Sequence, residues 1–487
     1  VTYSNLVLPE AFLSTDHPVW QWLAQRSKQI AGLSLELDME LGNEDDTDNN
    51  DTHDNATNDN GTDDAVEVTD WEAPLQTLSG ISGVQLKLDW FDAIEDRDHP
   101  CISWWLNEYG QIISHFSGEF VVSVDRLKLR EVAEAAAPCR AVDLTIKHPS
   151  SQVFDLADLL PVAGSLQRLG CWCTSDSEEF GSVRGASAFN SMSQLTDLQL
   201  VAQDLQDEDP WGLLASLTSL QQLGLCVHAS GDPSPLSALT RLSFLIMKSY
   251  GGTEAHGFAP FSFSSLQPLS TLRQLEVLDL KSCACAATSL QGLAGLTKLK
   301  VLAISSPASQ PNRLSTLEGI SPGVMRFSIV SAPDLVSLAG IGACTGMMEL
   351  FLVNCGVHSL QPLRGLASLN KLMLHSCSVT SLEGIYGLSL RTFLVIRCSS
   401  LTQLSGVEHL PALIHLVVED CGCVTSLQPL SQLGEGLQEL VVKECSAVQE
   451  EVLELPHVKP TADVVVESSN VKEVVLAGGV RRDVGAP

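Results

Sequence analysis

The sequence predicts an α/β solenoid: a curved stack of short strands paired in parallel on the concave face, with short helical turns or extended chain on the convex face. Three observations predict it. From Leu275 onward one pattern recurs as Leu275-x-x-Leu278-x-Leu280, Leu299-x-x-Leu302-x-Ile304, Val324-x-x-Phe327-x-Ile329 and Met347-x-x-Leu350-x-Leu352. It continues as Leu369-x-x-Leu372-x-Leu374, Leu390-x-x-Phe393-x-Val395, Leu413-x-x-Leu416-x-Val418 and Leu437-x-x-Leu440-x-Val442, with starts 24, 25, 23, 22, 21, 23 and 24 residues apart. Such a period marks units that bury their apolar faces only by stacking. Finally, 44% of the residues are hydrophobic and 18% charged, enough apolar material for one continuous core.

Each unit explains itself in order. Alternation at the second and third apolar positions is a strand with one buried face. The segment that follows, as in Ser359-Leu-Gln-Pro-Leu363 and Ser426-Leu-Gln-Pro-Leu430, turns the chain back in about a dozen residues, too few for a long helix. LxxLxL followed by SLxPLxxLxxL resembles the short class of leucine-rich repeats, of about 22 residues, found in internalins and a phosphatase-regulating subunit. The resemblance implies a leucine-rich-repeat solenoid and carries no common ligand. Weaker copies start at Leu242, Leu220, Leu195, Leu166 and Ala141, so the array is expected over 141–455, with 456–487 as cap and tail.

Residues 1–140 carry a longer-period version. Tyr3-x-x-Leu6-x-Leu8 leads to Ile30-x-x-Leu33-x-Leu35, and between them Pro18-Val-Trp-Gln-Trp-Leu-Ala-Gln opens an amphipathic helix at a proline. His99-Pro-Cys-Ile-Ser-Trp-Trp-Leu repeats the theme of His17-Pro-Val-Trp-Gln-Trp-Leu, which predicts a second helix. These strand-and-helix units resemble those of F-box leucine-rich-repeat proteins, although the cysteine-rich repeats of that family are longer than those here. All eight tryptophans lie in the first 211 residues, so the two parts pack differently.

The charge narrows the partners. With 28 Lys and Arg against 59 Asp and Glu, the net charge of −31 repels phosphate backbones and anionic lipid headgroups. The expected partner is a protein or peptide, not a nucleic acid, a membrane or a small molecule. No apolar run reaches the roughly 18 residues of a membrane span, which predicts a soluble chain. The first residue is Val1 rather than Met, so a removed leader or an upstream domain is expected.

Fourteen cysteines raise the question of a metal. Cys283, Cys355, Cys377, Cys398, Cys421 and Cys445 each fall eight residues after the first apolar position of a repeat. The resembled family places Asn or Cys in that slot, pointing into the core and able to bond the backbone of the turn. Periodicity therefore accounts for them as small buried hydrophobes. The pairs Cys171/Cys173, Cys283/Cys285 and Cys421/Cys423 are C-x-C rather than the C-x-x-C of zinc sites. Unpaired thiols favour a reducing compartment, here the cytoplasm.

Residues 42–70 hold eleven acidic residues and no Lys or Arg. Their Asn, Asp and Thr predict a disordered insert. Asn58, Asn60, Gly61 and Glu67 fit a calcium-loop pattern, yet its first ligand would be Ala56, which offers no side-chain oxygen. Asn50, Asn55 and Asn60 are glycosylation acceptors only if the chain is secreted.

Residues two, four and six after the first apolar position point onto the concave face. The middle column of the last five rungs reads Phe351, Met373, Leu394, Val417 and Val441. Glu349, Lys371, His375, Ile396, His415, Glu419, Glu439 and Lys443 flank it. An apolar centre ringed by mixed polar groups is the layout of a partner-binding interface; strand propensity, or a terminal segment lying over it, accounts for the same column. A second candidate is the long segment before Leu275 with Phe258-Ala-Pro-Phe-Ser-Phe263, which anchors a partner or packs back on the array. No nucleotide-binding, zinc-protease or hydrolase motif occurs, and Gly340-Ile-Gly342 sits on a repeat turn. No enzyme activity, cofactor or metal is expected. The favoured reading is a non-catalytic interaction scaffold; the alternatives are the substrate receptor of a ubiquitin ligase, which needs an F-box upstream of Val1, and a secreted or surface recognition protein.

Overall fold

The computed structural model describes residues 153–172, 181–228, 232–248, 262–307, 310–468 and 470–483, together with 6–9, 18–26, 33–38, 84–90, 117–123, 129–130, 133–134, 136–137 and 141–147. The chain divides into two compact units, Val1–Ala202 and Gln203–Pro487.

In the first unit the strands β1 (Leu6–Pro9), β2 (Leu33–Asp38), β3 (Val84–Trp90), β4 (Ser117–Ser123) and β5 (Ala141–Lys147) pair in parallel in chain order. Helix α1 (Val19–Arg26) follows Pro18 and buries Trp20 and Leu23, three residues apart on one face, while Arg26 lies 4.7 Å from the Trp22 ring. This is the helix expected between the first two strands. β6 (Phe154–Asp155) and β8 (Val183–Arg184) pair on the return side; β7 (Leu166–Trp172) and β9 (Asp197–Asp204) extend the sheet.

The second unit opens with β10 (Gln222–His228) and β11 (Phe244–Lys248), preceded by the short helix α2 (Pro210–Leu214), whose Gly212 N–H donates to the Asp209 carboxylate at 2.9 Å. β13 (Val277–Lys281) pairs with β11, while β12 (Ser262–Phe263) and β14 (Ala284–Cys285), which precede and follow it in the chain, pair with each other as a separate small sheet. The rungs then run β15 (Val301–Ser305), β16 (Arg326–Ala332), β17 (Glu349–Cys355), β18 (Lys371–His375), β19 (Thr392–Ile396), β20 (His415–Glu419) and β21 (Glu439–Lys443). β22 (Val452–Leu455) lies on the return path, β23 (Asp463–Glu467) adds one more rung to β21, and β24 (Glu473–Leu476) pairs with β22 and with antiparallel β25 (Val480–Asp483).

The return segments are 3-10 turns for a reason visible in their spacing. Leu360, Leu363, Leu366 and Leu369 recur every three residues and are all buried, a period that fits three residues per turn. Successive bonds follow from it: Leu363 N–H to Leu360 C=O at 2.9 Å, Leu366 to Leu363 at 3.0 Å and Leu369 to Leu366 at 2.9 Å. Each of these leucines contributes about 1.5–3 kcal/mol by leaving water. The serine that opens the motif has a task too. Ser265, Ser359, Ser381 and Ser426 accept the backbone N–H two residues on, through Oγ at 3.0–3.3 Å, which starts the turn.

The alternating pattern sets the two faces of the sheet. Leu350/Leu352, Leu372/Leu374, Phe393/Val395, Leu416/Val418 and Leu440/Val442 are buried, and the residues between them are half-exposed. Gly340 is αL and caps the turn Ile341–Ala343, so Gly340-Ile-Gly342 does lie on a repeat turn. The acidic segment 42–70 with its calcium and glycosylation patterns, the second helix at His99, Cys173, Phe258 and Phe261 lie outside the described residues. Phe263 is buried in β12, packed back on the array.

Candidate partner-binding face

The parallel register brings the expected column together. Phe351 pairs with Met373, Met373 with Leu394, Leu394 with Val417, and Val417 with Val441. All five are half-exposed on the outward face. Val441 pairs in turn with Val465, and Phe351 is preceded by Ser328, so the apolar stripe begins at Phe351 and ends at Val465. At about 4.8 Å per rung its length is about 24 Å.

The flanking columns are equally regular. On one side stand Glu349, Lys371, Thr392, His415, Glu439 and Asp463; on the other Val353, His375, Ile396, Glu419, Lys443 and Glu467. Neighbouring rungs meet through the ion pairs of Arg326 with Glu349 at 3.5 Å and Lys443 with Glu467 at 3.2 Å, and through His415 Nδ1, which lies 3.0 Å from Glu439 Oε2. These pairs are partly solvated and add little stability, about 0–1 kcal/mol each. His375 Nδ1 lies 3.2 Å from Ser376 Oγ.

Beneath the face runs the cysteine ladder. The six cysteines of the repeat slot are buried and stand outside any disulfide. The Cys377 thiol donates to Leu352 C=O at 3.3 Å and the Cys398 thiol to Leu374 C=O at 3.6 Å, each reaching a strand carbonyl of the preceding rung. The acceptors are strand carbonyls, and the Cys398 and Cys421 thiols also bond the backbone of the preceding rung's slot, at Cys377 and Cys398. Burial pushes Cys398 and Cys421 up to about 12. Cys377 is pushed up by its hydrogen bond with Cys355 and then by burial. Among the described residues, no group of three or more His, Cys, Asp and Glu could hold a metal ion.

Three features escaped the sequence reading. Ser282, Ser331, Asn354, Ser376, Arg397, Asp420 and Glu444, each one residue before the ladder slot, all take positive φ of 50–59°. This is the left-handed conformation that turns the strand end into the core, and no common residue type marks it. In two rungs whose slot lacks Cys, a buried serine one residue before the slot bonds the preceding ladder cysteine's backbone: Ser306 Oγ donates to Cys283 C=O at 2.7 Å and Ser468 Oγ to Cys445 C=O at 2.8 Å. Third, Phe244 and Ile246 on β11 are 39% and 40% exposed on the same face, a second apolar patch.

No family model and no curated protein matches the chain. Among solved structures it is similar to an internalin, InlF, from Listeria monocytogenes, at 15% identity and TM-score 0.44 over 72% of this chain and 92% of that one. The functional domain of InlJ from Listeria monocytogenes, described as including a cysteine ladder, gives 14% identity and TM-score 0.40 over 72% and 70%. TLR13 in its ssRNA13 complex gives 13% and 0.27 over 82% and 71%. At these values the assignment rests on the chain's own rungs. By the parallel register of those rungs and the three-residue spacing of its return turns, the chain is a leucine-rich-repeat solenoid.

Proposed function

We propose that the chain is a non-catalytic binding scaffold that captures a protein or peptide on the outward face of the second unit. The observation that carries this is the unbroken, half-exposed stripe from Phe351 to Val441, aligned rung by rung. An interface core is apolar and its rim polar and mixed in charge, which is how Glu349, Lys371, His375, Ile396, His415, Glu419, Glu439 and Lys443 stand around it. The net charge of −31 supports a partner other than nucleic acid or an anionic membrane. No helix among the described residues is long and apolar enough to cross a membrane. Ladder thiols outside disulfides support a reducing compartment, the cytoplasm.

The test is a chain carrying Phe351→Asp and Met373→Asp. Both side chains are outward, so the array stays folded by circular dichroism. Capture of partner from the native cell is lost. Capture equal to that of the unaltered chain, from a folded variant, refutes the reading.

A further inference from the structure

The polar rim is not even along the stripe. At the β11 to β16 end Lys281, Lys300 and Arg326 are each paired with a carboxylate, Asp279, Glu276 and Glu349, whereas rungs β20 to β23 carry Glu419, Glu439, Glu444, Asp463 and Glu467 against the single lysine Lys443. At that end Val417, Val441 and Val465 form the floor. Glu439 and Asp463 stand on one side of it, and Glu419 and Glu467 on the other with Lys443 between them; Glu444 follows Lys443 at the strand end. Glu467 is matched by Lys443, and Glu439 by His415, but both carboxylates keep over two-fifths of their side-chain surface exposed, at 48% and 43%. Asp463 and Glu444 are exposed outright.

We infer that this end of the stripe takes a cationic amphipathic helix, its apolar face on Val417, Val441 and Val465 and its Lys or Arg side chains against the two carboxylate rows. Width supports a helix. The rows lie four residues apart along each strand, about 13 Å at the rise of an extended chain, and a helix with its side chains is about 10–12 Å across. Chemistry supports the charge. A basic flank meets an excess of carboxylates here and, at the β11 end, carboxylates already paired with Lys281, Lys300 and Arg326, so the charge gradient sets both the sign of the partner and its place on the face. The bulk charge of −31 steers such a segment toward the surface, and the valine floor gives it a place to desolvate. This inference rests on the outward-face reading above and narrows it.

The experiment uses the full chain and a fluorescent Leu/Lys amphipathic peptide of about four helical turns, with a Leu/Glu peptide of the same pattern as its opposite, read by fluorescence anisotropy. Three variants separate the causes. One neutralises the rows (Glu419→Gln, Glu439→Gln, Glu444→Gln, Asp463→Asn). The second removes the same number of carboxylates from the return side (Glu318→Gln, Glu383→Gln, Glu435→Gln, Glu454→Gln), and the third makes the floor polar (Val417→Ser, Val441→Ser). Circular dichroism confirms that each is folded.

The expected result is Leu/Lys binding that weakens about tenfold in the first and third variants and by less than about twofold in the second, with no binding of Leu/Glu. Equal weakening in the first two variants means attraction to bulk charge alone and overturns the inference. Weakening only in the third leaves the stripe as a binding face and removes its preference for cations. Binding of Leu/Glu as tight as Leu/Lys, or no binding of Leu/Lys, also overturns it. So does a dimer in sedimentation that the row-neutralised variant loses, which would assign the surface to a second copy of the chain.

Discussion

The Lys371 ammonium lies 5.2 Å from the centroid of the Phe351 ring, one rung away. Lys371 is in register with Glu349, and Phe351 with Met373, so the cation crosses diagonally onto the first member of the apolar stripe. The contact caps the aromatic end of the stripe with a cation.

A double-mutant cycle of Phe351→Leu and Lys371→Met, followed by urea denaturation, should return a coupling energy of about 0.5–1 kcal/mol, the range for a partly exposed cation–π pair. Additive effects of the two substitutions would show that the lysine merely lies nearby.

Gly384 has φ of +107°, and a Cβ there would fall 2.3 Å from the Leu360 carbonyl oxygen of the preceding rung. Both the conformation and the close approach require glycine, because the obstructing atom is backbone and cannot swing aside. Gly384→Ala should destabilise the array by about 2 kcal/mol or more, whereas Gly346→Ala, with nothing within 4 Å of the new Cβ, should change stability by less than about 1 kcal/mol. Equal effects in thermal or urea melts would mean that the rungs do not approach as closely as described.

The ladder makes stability sensitive to alkali. Burial raises Cys398 and Cys421 from the ordinary thiol value of 9.0 to about 12 in the folded chain. A raised folded-state value means that the unfolded chain loses these protons first. The contribution is therefore intact below pH 9 and declines as pH rises from there toward 12, by at most about 1.4 kcal/mol per unit and thiol. Replacing both by Ser, whose hydroxyl keeps a donor and does not titrate in this range, should flatten the decline between pH 9 and 11. An unchanged slope would place the alkaline sensitivity elsewhere.

How much of this was legible in the sequence depended on whether a position is fixed by residue type or by geometry alone. Leu278, Leu302 and their successors are legible because the core accepts only apolar side chains there. The ladder cysteines were legible for the same reason, and so was the outward column, since alternation follows from the strand itself. The left-handed column was not, because Ser376, Arg397 and Asp420 share a backbone conformation and no chemistry. Val465 was missed since its rung opens with Thr461 instead of Leu, and the pattern lost its first letter there. The 3-10 turns could have been read from the three-residue spacing of Leu290, Leu293, Leu296 and Leu299, a signal weaker than the strand pattern but present in most units.

The central claim, that the outward face of the second unit meets the partner, is tested most directly by placing a photo-crosslinking residue at Val417 in one chain and at Glu383, on the return side, in another. Irradiation in the native cell should join a partner to the chain labelled at 417 and leave the chain labelled at 383 alone. Crosslinking from 383 with none from 417 would contradict the account, because the partner would then be held by the turns and not by the stripe.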